Sequence, residues 1–225
     1  MRLLIALCFV FVSSQILAAS MPAELTDALK GFHAEGPKGW GFIQTTTAGD
    51  RSRVERFEPL GKFSIQWKLL QQDGKPPTTE EVQKYTELKA RRSSNETAPN
   101  VKDQIIPETC EVISESPERG VYSFQLKPGG SDDSSAQFMR ATFTLHRPTA
   151  SIEQVELAST GPFSPVLMVK VESARTVMVY SLPSGETPSL LKEVTVRIRG
   201  RAMWFRSLDQ DMTVVYSDYV FAGKK

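Results

Sequence analysis

The chain has 225 residues, 40% of them apolar and 24% charged, with 27 Lys and Arg against 26 Asp and Glu. That near-neutral balance leaves no electrostatic footprint for a phosphate backbone, so nucleic acid is not expected as a partner. The two cysteines, Cys8 and Cys110, are too few for a disulfide framework or a thiolate zinc site, and stability must come from packing.

Residues 1–20, MRLLIALCFVFVSSQILAAS, combine one early cation (Arg2), an apolar run from Leu3 to Val12, and small residues at Ala18, Ala19 and Ser20. This is the pattern of a secretory signal peptide. The run is too short to cross a bilayer core of roughly 30 Å, and no later stretch could stop transfer, so the protein is not expected to span a membrane. A periplasmic address is expected. Ser20 and Met21 stand where a lipoprotein signal would place its acylated cysteine, so no lipid anchor is expected. Cleavage would remove Cys8, leaving Cys110 to act as a small, inert, buried side chain. The roughly 200 residues that remain can bury about 70% of the unfolded surface in one core, which makes residues 21–225 one domain.

Leu25, Leu29 and Phe32 recur at helical spacing between Pro22 and Phe32, and Gly31 ends that short amphipathic helix. The period then changes. Gly39–Thr47 and Ser52–Phe57, rich in aromatic and β-branched residues, flank the turn Ala48-Gly49-Asp50 and read as a hairpin. Phe63, Ile65, Trp67 and Leu69 alternate with Ser64, Gln66 and Lys68, so one strand carries four large apolar side chains on one face. After Asp73-Gly74, the run Pro76-Pro77-Thr78-Thr79-Glu80-Glu81 announces a helix with a hydroxyl cap and carboxylates in its first turn, extending to Arg91 or Arg92. Its narrow apolar stripe is Val82, Tyr85 and Leu88.

Ser93–Lys102 has no period and reads as a loop, as does the connection Gly129–Ser135. Strands are expected over Thr109–Ser114, Val121–Leu126, Met139–Leu145, Ile152–Ser159, Val166–Val171, Arg175–Leu182, Leu191–Phe205 and Met212–Phe221. About ten strands and two helices make an α+β domain, and a sheet that wide must curl, close or split. A large curved antiparallel sheet, an incomplete barrel with helices packed against or lidding its concave face, is the expected architecture.

His33 and His146 stand far apart with no ligand spacing, and no metal, nucleophile-elbow, phosphate-loop or dinucleotide motif is present. No cofactor, metal or catalytic residue is expected from the sequence. Arg197, Arg199 and Arg201 share one face of a strand, which is either an ordinary solvent face or a contact for an anionic group. The same choice applies to Arg51, Arg53 and Arg56, which interleave with Glu55 and Glu58 and are either a contact for an anionic group or cross-strand ion pairs worth little.

Trp40, Phe42, Phe63, Ile65, Trp67, Leu69, Phe143 and Leu145 are either plain core or the lining of an under-filled interior. In the second case the helix of Val82, Tyr85 and Leu88 is its lid. At about 0.8 kcal/mol per buried methylene, an acyl chain of about 14 carbons would gain on the order of 10 kcal/mol from such a site before ordering costs.

The order of signal peptide, amphipathic helix, hairpin, aromatic strand, inserted helix and long antiparallel meander resembles the periplasmic lipoprotein-carrier (LolA-like) fold. That resemblance implies a curved incomplete barrel around an apolar cavity and a lipid or acylated lipoprotein as cargo. The local run Arg56-Phe57-Glu58-Pro59, Trp67-Lys68-Leu69-Leu70 and Asp73-Gly74-Lys75-Pro76-Pro77-Thr78 resembles a pattern in uncharacterised exported proteins of Gram-negative bacteria and implies no activity. The expected function is an exported binding protein for an apolar ligand. The alternative is a cell-envelope module that holds a protein or an anionic polymer on its surface and carries no internal ligand.

Overall fold

The computed structural model describes residues 21–59, 66–92, 100–128, 135–203 and 205–223. The expected signal peptide, Phe63, Ile65 and most of the two expected loops lie outside the described residues.

Helix α1 (Ala23–Gly31) precedes the hairpin β1 (Trp40–Ala48) and β2 (Arg51–Phe57), then β3 (Trp67–Gln72) and helix α2 (Thr79–Arg92). The Thr78 hydroxyl accepts from Glu81 N, and the Glu81 carboxylate accepts from Thr78 N at 2.7 Å, so a reciprocal cap starts α2 where the hydroxyl was expected to. A short helix α3 (Val101–Gln104) leads into β4 (Glu111–Glu115), β5 (Arg119–Gln125), β6 (Met139–His146), β7 (Ser151–Ser159), β8 (Val169–Tyr180), β9 (Leu191–Ala202), β10 (Arg206–Ser207) and β11 (Gln210–Phe221).

All eleven strands belong to one antiparallel sheet in the order β3-β2-β1-β11-β9-β8-β7-β6-β5-β4, with β10 folded back on the end of β9. The sheet is curved and open, and with its helices it makes the α+β architecture read from the sequence. Strands β4 to β9 form the expected meander. The last long strand leaves it: β11 pairs with β9 on one side and β1 on the other. Strands β3 and β4, neighbours in the chain, therefore stand at opposite edges of the sheet, and α2 and α3 lie on the connection between them.

Two expected boundaries are corrected. Val166–Val171 and Arg175–Leu182 are not separate strands, since residues 169–180 form the single strand β8. No Gly or Pro punctuates that stretch, and the extra residue is absorbed as a bulge between Val171 and Ser173. The end of the expected loop Ser93–Lys102 is helical: Asn100 caps α3 by accepting from Lys102 N. Four residues are too few to show a period, but Val101 and Ile105 are buried and anchor the turn in the core.

The core lies where α1 crosses the sheet. Leu25, Leu29 and Phe32 pack onto Tyr122, Phe124, Phe143, Leu145 and Val155, the last five fully buried. Phe32 meets Phe143 and Tyr180 edge-on, with ring centroids at 6.3 and 5.1 Å. Cys110 is a buried free thiol in this cluster, and burial pushes its pKa up, as suits an inert side chain.

Candidate functional site on the inner face of the sheet

Register places the side chains that meet α1 and those that meet α2 on the same, inner face. Gln44 pairs with Glu55 on one side and Tyr216 on the other, and Tyr216 packs against both Phe42 and the α1 core. Beside it, Val214 pairs with Val194, and Val194 with Met178. Two groups of the expected lining residues are thus on one face, in different surroundings.

Phe143 and Leu145, on β6, are fully buried beneath α1. Trp40, Phe42 and Trp67 join an aromatic cluster at the other end. Phe42 is its centre, with ring centroids at 5.1 Å from Phe57, 5.8 Å from Trp67, 5.4 Å from Tyr216 and 5.6 Å from Tyr219. Trp40 continues it to Phe221 at 5.3 Å. Leu69 is half-buried opposite Glu55.

Of the expected lid, Tyr85 alone is sunk against the sheet, whereas Val82 and Leu88 are exposed. What holds α2 is Glu55, expected from the sequence only as a partner in cross-strand ion pairs. Its side chain is fully buried. The carboxylate accepts from Tyr85 Oη at 2.8 Å and from Gln44 Nε2 at 3.3 Å, and it pairs with Lys89 Nζ at 3.0 Å and Arg53 Nε at 3.1 Å. Lys89 also stands over the Trp67 ring, 3.7 Å from its centroid. A signal was available: Glu55 stands two residues from Phe57 along β2 and so shares its inward face, and Tyr85 and Lys89 lie one turn apart on α2.

Burial first, and the Glu55 carboxylate second, push the Tyr85 phenol far above its ordinary range. Tyr216 is pushed up to about 12 by burial and the nearby Glu55 charge. Tyr180 and Tyr219 are raised chiefly by burial as well. These phenols are therefore neutral hydrogen-bond donors across the physiological range.

From the edge of the α1 core, against which Leu157, Met178 and Val194 pack, toward the part covered by α2, the inner face carries these three with Thr176, Val196 and Met212, all half-buried, beside the buried Val214. A recess of about 260 Å³ opens at the C-terminal end of α1, lined by Phe32, His33, Pro37, Ile152, Tyr180 and Pro188 among others. It is slightly below the roughly 300–1,000 Å³ of ordinary ligand pockets.

On the outer face, a recess of about 340 Å³ is lined by Thr195, Arg197, Arg199, Asp211 and Thr213. Two of the three expected anion contacts are already neutralised. Arg199 grips both oxygens of Asp211 at 2.9 and 2.8 Å, and Arg201 pairs with Glu172 at 3.0 Å. Arg197 stands exposed between Arg175 and Asp211 in register. His146 Nδ1 bonds the Thr149 hydroxyl at 2.7 Å, and His33 is exposed beyond α1. Among the described residues no group of His, Cys, Asp and Glu is arranged to hold a metal ion, and no helix is long and apolar enough to cross a membrane.

No family model and no curated protein matches this chain. Two solved structures align with it at 12% identity: an isomerase-inactive variant of GphF DH1, covering 89% of this chain and 80% of that one with a TM-score of 0.20, and a GphF Dehydratase variant made for improved crystallization, covering 86% and 81% with a TM-score of 0.18. Similarity at that level carries no functional argument.

Proposed function

We propose that this is an exported, periplasmic binding protein that takes an apolar ligand, the acyl chain of a lipid or lipoprotein, onto the inner face of its sheet between α1 and α2. One observation carries the reading: a half-buried apolar row runs from Leu157, Met178 and Val194 at the edge of the α1 core through Val196 and Met212 toward the α2 contact on one curved sheet. Each methylene laid on that row leaves water, at a gain of about 0.8 kcal/mol when fully buried. The aromatic cluster around Phe42 gives the row a stiff end wall, and the neutral phenol of Tyr216 offers a donor to a carbonyl or head group beside it. The curved open sheet is also the architecture that the resemblance to lipoprotein carriers implies.

The test is native mass spectrometry and lipid extraction of protein recovered from the periplasm, with binding of an apolar fluorophore to the delipidated chain. Copurifying lipid, and fluorophore binding lost in Val194→Asp, are the expected results. No lipid and no fluorophore binding by a folded chain would overturn the reading.

A further inference from the structure

A second surface stands apart from the inner face. At the end of the sheet where β8 begins and β9 finishes, two turns hold large apolar side chains out in water: Leu167 is 88% exposed and Phe205 82%, and Val166, Met168 and Met203 are exposed with them. Isolated exposed hydrophobics are ordinary, but five from two adjacent turns make a patch.

The patch is built rather than frayed. Met203 N donates to Met168 O at 2.8 Å and ties one turn to the other. Phe163 and Val171 exchange both backbone hydrogen bonds at 2.9 and 2.8 Å, and Phe163 stacks on Phe138. Met168 and Met203 both sit at positive φ, +65° and +50°, a region that disfavours residues with a Cβ. Two methionines held there together, at the point of greatest apolar exposure, mark a local arrangement retained against backbone strain. Nearby, Gly200 lies so close to Lys170 O that a Cβ would collide with it, so the two strands are pressed together just behind the turns.

Charge selects the partner. The two segments 161–171 and 197–208 contain five cations, and the acids that follow them, Glu172, Asp209 and Asp211, are engaged with Arg201, Gly200 N and Arg199. Those acids leave Lys170 and Arg206, the cations nearest the apolar side chains, exposed and without an ion pair to a described residue. An exposed apolar tip with Lys170 and Arg206 beside it suits a peripheral anchor that enters the head-group region of an anionic bilayer, where side chains partition without needing a matching groove. Each added cation near such a surface is worth about fivefold in affinity.

We propose that the turns carrying Val166, Leu167, Met168, Met203 and Phe205 insert shallowly into an anionic lipid surface, steered by Lys170 and Arg206. This inference is independent of the ligand reading, because the tip contributes no residue to the inner-face row.

The test is sedimentation of the full chain with vesicles of phosphatidylethanolamine and phosphatidylglycerol, and with vesicles of phosphatidylcholine alone. The expected result is partition onto the anionic vesicles that falls at least tenfold in Leu167→Ser/Phe205→Ser, and also in Lys170→Glu/Arg206→Glu, while fluorophore binding to the inner face is unchanged. Both pairs are exposed, and unchanged thermal melting would show that the variants fold. Absence of partition by the parent chain, or equal partition by either variant, would overturn the proposal. So would a parent chain that self-associates through the tip, seen as a mass in solution that drops to the monomer in the serine variant without any vesicle effect.

Discussion

Beneath α1 the sheet presents Tyr122, Phe124, Phe143, Leu145 and Val155, and the helix is held mainly by hydrocarbon and edge-on rings, with a partly exposed Arg147–Glu24 pair at 2.9 Å and the Tyr122 phenol at its first turn. Beneath α2 it presents Glu55, and the helix is held by its own phenol and ammonium, Tyr85 and Lys89, which converge on a carboxylate that also pairs with the strand's Arg53 guanidinium. The contrast lies in what each attachment tolerates. Apolar burial is non-directional and spreads its energy over many contacts, so the hydrocarbon part of the α1 contact resists pH and salt and only its partly exposed Arg147–Glu24 pair is sensitive to them. A buried charge network depends on each partner, because removing one leaves the others desolvated and unpaired.

Four measurements would break or sharpen that contrast. Phe143→Ala should have the largest effect, costing about 4 kcal/mol of global stability as truncation opens a cavity under α1. A urea midpoint lowered with little change in slope would confirm it. Glu55→Ala should cost about 3 kcal/mol, and locally: amide exchange should rise in α2 and β3 while β5–β7 keep their protection. If β5–β7 lose protection equally, the two ends are one cooperative unit and the contrast fails.

Alkali should come next. Tyr85, Tyr180, Tyr216 and Tyr219 have pKa values raised by burial, Tyr216 to about 12, above the roughly 10 of an unfolded tyrosine. Above about pH 10 the unfolded chain sheds phenolic protons that the folded chain keeps, so this contribution is complete below pH 10 and is lost as pH rises through the folded values. Three of these tyrosines belong to the α2 contact or the aromatic cluster beside it, so protection in α2 should fail at lower pH than protection around Phe143. The smallest effect belongs to Leu88→Ser, expected within about 0.5 kcal/mol because the side chain is 56% exposed. A larger loss would mean that α2 does bury its stripe.

Much of the fold was legible because it is written in short-range periods. Met139, Ala141, Phe143 and Leu145 alternate, and β6 buries the last three. Thr78 and Glu81 are three residues apart, which is the spacing a cap requires. The candidate site was legible only in part. Phe42 and Trp67 were singled out and are in contact, but Phe143 went to the core under α1 and Val82 and Leu88 to solvent. Neither the half-buried row on β8, β9 and β11 nor the apolar tip was foreseen, since alternation tells which residues share a face and is silent on what covers that face.

From the sequence alone follow the antiparallel strands, the two longer helices and the α+β class, because alternation, caps and turn residues act over a few positions and need no knowledge of the rest of the chain. Only the tertiary structure decided that β11 enters between β9 and β1, that β3 and β4 take opposite edges, and that Glu55 lies buried under Tyr85 and Lys89. Those outcomes rest on contacts between residues 12 to about 180 positions apart. Their energy depends on which surfaces meet, and no local pattern in the chain encodes that.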